Sequence, residues 1–234
     1  MEEIKYPVRI NKYLALKNVC ARREADELIV QRKVKINGKV AVLGQKVNTN
    51  DKVTVENFKK KLVYLAFNKP KGVITHSPED GEQSIKDVAN FGEDIFPLGR
   101  LDKDSSGLIL LTNDGRVTDK LLNPKYEHEK EYIVRVTKSL DGLDLKKLGE
   151  GVKLEDGYVT KKARVTKLSS DRFSIVLTEG KKHQIRRMCD VLGYAIKHLE
   201  RRRIMNIKLL KLQPGEYREI KGKELEDFLK ALGL

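Results

Sequence analysis

The chain of 234 residues carries 48 Lys+Arg against 34 Asp+Glu, a formal charge of +14, and 39% of its residues are hydrophobic. That is enough apolar material to build cores for one substantial domain and a small one. No 18-residue apolar run is present and Met1 to Lys5 lacks an h-region, so neither a membrane-spanning helix nor a signal peptide is expected, and a cytoplasmic location is.

The first elements are helical. Ile10, Tyr13, Leu14 and Leu16 recur on one face of a short helix over residues 9–18, and Ala25, Leu28 and Ile29 do so in a second helix opening at Cys20. The period then changes to two. Val34, Ile36 and Val40 flank Asn37-Gly38, a type I′ hairpin signal, and residues 51–56 supply a further strand. Residues 1–61 hold 15 Lys+Arg against 7 Asp+Glu, so more than half of the net charge sits in the first quarter of the chain. Such an excess in so small a unit points to a polyanion partner, with nucleic acid leading. This helix-helix-hairpin unit, with Arg9, Lys12, Arg22, Arg23, Arg32 and Lys33 on its helices, resembles the alpha-L RNA-binding module of a small-subunit ribosomal protein over residues 7–55. The resemblance implies docking on phosphates of structured RNA, which positions a partner without reading bases. A Lys-rich connector, 58–61, marks the expected boundary between domains 1–58 and 59–234.

Strands are expected over 62–67, 108–112, 130–137, 160–168, 173–178 and 203–210, and helices over 116–122, 143–149, 183–192 and 223–232. Short polar turns favour antiparallel pairing, which predicts an α+β domain with helices packed on a mixed, mostly antiparallel sheet. There is no Gly-x-Gly-x-x-Gly turn or phosphate loop, so no nucleotide cofactor is expected. Cys20 and Cys189 form no Cys-x-x-Cys unit and the four histidines no ligand-spaced set, so two packed thiols and no metal are expected.

Three separated motifs hold the chemistry-bearing residues. Gly99-Arg100-Leu101-Asp102 presents a carboxylate on a Gly-bounded loop that runs into the apolar strand Leu108 to Leu111. Lys130-Glu131-Tyr132 opens an alternating strand. Thr178-Glu179-Gly180-Lys181-Lys182-His183-Gln184-Ile185-Arg186-Arg187-Met188 ends a strand at Gly180 and begins a basic helix. As residues alone these are equally turn residues, a half-buried core aromatic and a solvated helix end. Together they resemble the pseudouridine synthases of the RsuA family, and the arginine-dense run Leu199-Glu200-Arg201-Arg202-Arg203-Ile204-Met205-Asn206 looks closest to its large-subunit, RluF-like branch.

The resemblance implies a catalytic set of Asp102, Tyr132 and Arg186. Asp102 is the nucleophile, Tyr132 lies against the target base, and Arg186 pairs with Asp102, since a guanidinium favours a carboxylate's charged form. Arg187 is directed to phosphate, and Arg100, Lys130, Arg201 and Arg203 are further candidate RNA contacts. Asn68-Lys69-Pro70-Lys71-Gly72 resembles a family loop and reads equally as a rigid turn. The implied reaction detaches uracil from C1′, rotates it and rejoins it through C5, with Asp102 adding to C1′ or abstracting a C2′ proton. The expected partner is 23S rRNA or an assembling large ribosomal subunit, met by a monomer. A non-catalytic RNA-binding protein on this scaffold would lack one of the three catalytic residues, and none is missing. A glycoside hydrolase pairing Asp102 with Asp104 or Asp114 would need a sugar platform, yet the chain has no Trp.

Overall fold

The structure, a computed structural model, describes residues 4–17, 19–56, 61–92 and 95–234. Residues 58–60 of the Lys-rich connector and Asn18, at the end of the first expected helix, lie outside the described residues.

The N-terminal unit runs β1 (Val8–Arg9), α1 (Ile10–Leu16), α2 (Arg22–Val30), β2 (Val34–Ile36), β3 (Lys39–Val40), β4 (Lys46–Val47) and β5 (Val53–Val55). Ile10 and Leu14 of α1 meet Ala25, Leu28 and Ile29 of α2 over Val34, Ile36 and Val47, an apolar cluster separate from the rest of the protein. The β2–β3 hairpin closes through Asn37 and Gly38, both at positive φ (51° and 78°), as a type I′ turn demands. Asn37 also fastens the turn to its neighbour, donating to Asp51 Oδ1 at 2.8 Å and accepting from the Lys52 N–H at 2.8 Å. Strands β1 and β4 pair with each other; two residues each are too short for a periodic signal.

The second unit comprises β6 (Tyr64–Lys69), α3 (Ile85–Val88), β7 (Phe96–Leu98), β8 (Ser106–Thr112), α4 (Arg116–Leu122), β9 (Lys130–Val136), α5 (Gly142–Glu150), β10 (Arg164–Lys167), β11 (Arg172–Leu177), α6 (Gln184–Val191), β12 (Ile196–Ile204), β13 (Ile207–Lys208), β14 (Tyr217–Glu219) and α7 (Gly222–Ala231). Its sheet has the order β10-β11-β9-β12-β8-β6-β14, with β13 beside β12 and β7 beside β8. Among the described strands β12–β8 is the one parallel pairing; the others are antiparallel. The mixed, mostly antiparallel α+β architecture is as expected.

Apolar packing divides at that parallel junction. On one side β9, β11 and β12 bury Val134, Phe173, Ile175 and Leu199 against Leu148 of α5 and Met188 of α6. On the other side β6 and β8 are covered on both faces: Ala66, Leu108 and Leu110 meet Val117 of α4 and Phe228 of α7, while Leu65, Phe67, Ile109 and Leu111 meet Val73 and Ile85. Truncating a fully buried aromatic such as Phe228 typically costs about 3–5 kcal/mol.

Two expected strands are corrected. Residues 160–163 are not strand, because the Thr160 N–H is taken by the Val152 carbonyl and the Lys161 N–H by Glu179; β10 starts at Arg164. The strand expected over 203–210 instead begins at Ile196, ends at Ile204 and turns at Met205, where φ is 51°, into β13. Its charged residues conceal it, since several face solvent or ion-pair partners rather than an apolar layer.

Candidate active site

Asp102 sits on the loop between β7 and β8, with its side chain 39% exposed. That loop is fixed from three sides. The Asp102 carbonyl accepts the Ser105 N–H at 3.0 Å, a turn that buries Ser105. The segment after β6 reaches it through Gly72 N–H to the Lys103 carbonyl (2.7 Å) and through Thr75 Oγ1, which donates to the Leu101 carbonyl (2.9 Å). From α6, Arg186 Nη2 donates to the Asp104 carbonyl at 3.0 Å and to Ser105 Oγ at 3.1 Å. A carboxylate presented by so constrained a backbone is held in place while staying open to a substrate.

The expected Arg186–Asp102 ion pair is therefore corrected: among the described residues Arg186 grips the Asp104 carbonyl and the Ser105 hydroxyl, not the Asp102 carboxylate. The nearest basic side chain to Asp102 is His183, whose Nε2 lies 3.7 Å from Asp102 Oδ1. His183 caps α6 with a left-handed backbone, φ 53° and ψ 26°, which turns its imidazole toward the loop one turn before Arg186.

Asp102 borders a cleft of about 560 Å³ whose walls include Arg100, Lys130, Tyr132, Gly180, His183 and Arg201. Tyr132, on β9, stands opposite Ile175 of β11 and Arg201 of β12. The Arg201 guanidinium carbon lies 6.0 Å from the Tyr132 ring centre. Arg201 is buried in the sheet rather than extended into solvent: Nε donates to the Leu108 carbonyl at 2.7 Å and Nη1 to the Arg100 carbonyl at 3.4 Å. Its Nη2 has no partner among the described residues. The guanidinium thus joins the Tyr132 strand to both ends of the Asp102 loop. Gly107 makes this possible, since a Cβ there would lie 2.4 Å from the Arg201 carbonyl oxygen.

Two lysines stand near Asp102: Lys130 lines the cleft, and Lys69 lies in the interior within electrostatic reach of the carboxylate. Lys69 is fully buried and donates to the Pro70 and Val73 carbonyls at 2.8 and 2.6 Å. Burial pulls its ammonium down to about 8, with Asp102 and Asp104 opposing that shift and Arg201 adding to it. Burial, then the charge on Arg201, lowers Lys130 as well. At the opposite wall the buried Glu179 accepts from Tyr158 Oη (2.5 Å), Gln184 Nε2 (2.5 Å) and the Lys161 N–H (3.0 Å), locking the corner from β11 into α6. Lys69, Thr75, Glu179 and His183 were absent from the expected catalytic set. Glu179 and His183 stood within the third motif and Lys69 within the Asn68 to Gly72 loop without an assigned role, and Thr75 left no sign in the sequence.

The remaining cations separate into two groups. Arg187 is bound by Glu155 (2.5 Å) and Asp156 (2.6 Å), and Arg203 by Glu129 (2.9 Å) and Glu131 (2.8 Å), so both are engaged within the chain. Arg9, Lys12, Arg22, Arg23 and Arg100 are exposed and form no ion pair among the described residues. Cys20 and Cys189 are buried and not joined in a disulfide, and burial pushes the Cys189 thiol up to about 12, which leaves it no nucleophile. No cluster of metal-ligand type occurs among the described residues, and no described helix is long and apolar enough to cross a membrane.

A mixed sheet split by one parallel junction, with an aspartate loop facing a strand tyrosine across a basic cleft, defines a class. Residues 63–190 match the RNA pseudouridylate synthase family and residues 8–53 match the S4 domain. The chain belongs to the RNA pseudouridylate synthase family and is an RNA pseudouridine synthase, an isomerase. It is 43% identical to the dual-specificity RNA pseudouridine synthase RluF of Escherichia coli K12, covering 96% of this chain and 79% of that protein. It is 38% identical to the ribosomal large subunit pseudouridine synthase B of Bacillus subtilis, covering 93% of this chain and 94% of that one. The crystal structure of a pseudouridylate synthase aligns over 96% of this chain and 99% of its own, with a TM-score of 0.70 and 28% identity. The RluF-like branch expected from Leu199 to Asn206 agrees with the first of these relatives.

Proposed function

We propose that the protein isomerises a uridine of ribosomal RNA, in the 23S molecule, with Asp102 as the nucleophile. Residues 1–58 dock the RNA and residues 59–234 carry out the chemistry in the cytoplasm. The observation that carries this reading is the Asp102 carboxylate, half open at the rim of a basic cleft on a loop tied to three separate elements. The relatives named for RluF and for the large subunit's synthase B support the choice of RNA.

The reaction exchanges the C1′–N1 bond for a C1′–C5 bond and moves one proton from C5 to N1. Asp102 adds to C1′ of the extruded nucleotide as the C1′–N1 bond breaks, and uracil leaves with the electron pair on N1. The base stays on the Tyr132 ring, turns, and presents C5 to C1′; the carboxylate departs as the C1′–C5 bond forms. C5 then loses its proton and N1 gains one, so atoms and charge balance without cofactor or metal. The buried Arg201 and half-buried Lys130 line the cleft where negative charge develops, with the buried Lys69 within electrostatic reach of Asp102, and in a desolvated cleft such fixed charge counts for more than in water. Arg9, Lys12, Arg22 and Arg23 on the S4 domain, with Arg100 at the rim, meet phosphates.

The test uses transcripts with tritium at uridine C5. Asp102→Asn should bind RNA as the wild type does and release no tritium; full release refutes the assignment. A primary isotope effect from deuterium at C2′ would make Asp102 a base on C2′ and reject covalent addition. Carbodiimide-dependent primer stops, compared between a deletion strain and its parent, locate the uridine. A stop lost from small-subunit RNA alone would overturn the 23S assignment.

A further inference from the structure

The segment that follows β6 turns under the Asp102 loop and grips it on either side of the reacting residue. The Gly72 N–H donates to the carbonyl of Lys103, one residue after Asp102, at 2.7 Å. One residue before Asp102, Thr75 Oγ1 donates to the Leu101 carbonyl at 2.9 Å and accepts the Leu101 N–H at 3.2 Å. A single hydroxyl therefore replaces both hydrogen bonds that a strand partner would give Leu101. Thr75 and Leu101 are both buried, so neither bond competes with water.

The hydroxyl is itself held in place. Threonine is stiff about χ1, which fixes the direction of Oγ1 once the backbone is fixed. The backbone is fixed by Ile74, whose N–H donates to the Gln83 carbonyl at 2.8 Å and whose carbonyl accepts the Ile85 N–H at 2.9 Å. Lys69 adds its bonds to Pro70 and Val73. A rigid strap thus runs from the end of β6 to α3, and Thr75 is its contact with Leu101.

We propose that Thr75 is a positioning residue of the isomerisation: its hydroxyl fixes the backbone of Leu101 and thereby where the Asp102 carboxylate stands in the cleft. The inference rests on Asp102 being the reacting carboxylate. Thr75 does not line the cleft, so it acts through Asp102 and leaves RNA docking untouched. Valine keeps the shape of threonine and removes both bonds, whereas serine keeps the hydroxyl.

Thr75→Val, Thr75→Ala and Thr75→Ser are assayed in the full chain for tritium release, alongside Asp102→Asn. Displacement of a reacting group by an ångström costs about 10²-fold, so kcat of the Val and Ala variants should fall by about that factor while KM for RNA stays unchanged. The Ser variant should keep most of the wild-type kcat. Activity in Asp102→Asn would overturn the reading of the site and this inference with it. With Asp102→Asn inactive, a Val or Ala variant at wild-type kcat overturns the role of Thr75 alone. A Ser variant as slow as Val overturns it too, and so does failure of both Val and Ala to fold, because the hydroxyl would then serve folding rather than position.

Discussion

Replacement of Gly107 by alanine tests whether the parallel junction holds the two halves of the catalytic domain together. Gly107 pairs with Arg201 across β8 and β12, at φ 108°, a backbone that an L-residue rarely adopts. A Cβ at this position would lie 2.4 Å from the Arg201 carbonyl oxygen and 2.6 Å from its nitrogen, so relief requires backbone movement. Backbone strain of about 1–3 kcal/mol and an overpacking cost of about 1–3 kcal/mol give a loss of roughly 2–6 kcal/mol. In a chain of this size that lowers Tm by about 10 °C. Gly38→Ala is the control: its φ is 78° but a Cβ would meet nothing within 4 Å, so it should cost only about 1 kcal/mol. Thermal melts followed by circular dichroism compare the two. Equal losses would mean that β8 and β12 separate freely and that the junction is not what sets Asp102 against Tyr132.

Tyr132→Phe keeps the ring and removes the hydroxyl; if that hydroxyl takes the C5 proton, turnover of labelled RNA drops steeply at unchanged affinity, and unchanged turnover leaves Tyr132 a stacking residue. Lys69 makes a pH prediction whose sign is opposite to the usual alkaline loss of stability. Its pKa is about 8 when folded, so between pH 8 and the ordinary lysine range the unfolded chain holds a proton that the folded chain has released, and its contribution to stability rises with pH. The neutral amine still has two N–H groups for the Pro70 and Val73 carbonyls. Denaturant unfolding at pH 8 and pH 10 should show wild type gaining on Lys69→Met, and an unchanged difference would refute it. Deleting residues 1–58 should weaken rRNA binding and flatten the slope of log K against log salt by about 0.7–0.9 for each phosphate no longer neutralised, while slow isomerisation persists at high RNA concentration. A truncated chain with the full slope would move docking to the catalytic domain.

What the sequence made legible was local. Asn37-Gly38 specifies its turn through two positive φ values, and α4, α5, α6 and α7 follow the expected spans within one or two residues because each shows an apolar face at helical spacing. Strand β8 was visible as a continuous apolar run, since it is buried on both faces. The misses have one physical origin, compensation by distant partners. Strand β12 hides behind Arg201, Arg202 and Arg203, yet Arg203 is neutralised by Glu129 and Glu131 of a segment some seventy residues away and Arg201 is wedged between β8 and β9. Asp102, Tyr132 and Arg186 were found as motifs, but the hydrogen bonds that aim them were not. Nothing in the order Thr75, Leu101 or Ser105, Arg186 announces a hydrogen bond.

That pattern of compensation also explains how the positive charge is divided. The arginines of the catalytic domain are largely occupied in holding its shape: Arg135 with Asp171, Arg187 with Glu155 and Asp156, Arg203 with Glu129 and Glu131, Arg218 with Glu224. An arginine spent on a carboxylate contributes little field beyond it, because the pair is a dipole that salt screens within a Debye length of about 8–10 Å. Cations without an ion-pair partner among the described residues include Lys12, Arg22 and Arg23 on α1 and α2, Arg100 and Lys182 at the cleft rim, and Lys71, Lys153, Lys162, Arg172 and Lys197 elsewhere on the catalytic domain. On the proposed docking, the concentrated charge of the S4 domain supplies most of the attraction at range, and the rim cations act once RNA has arrived. On that reading the residues that align Asp102 are not the ones that capture RNA, so the cleft can stay rigid while the docking surface adapts.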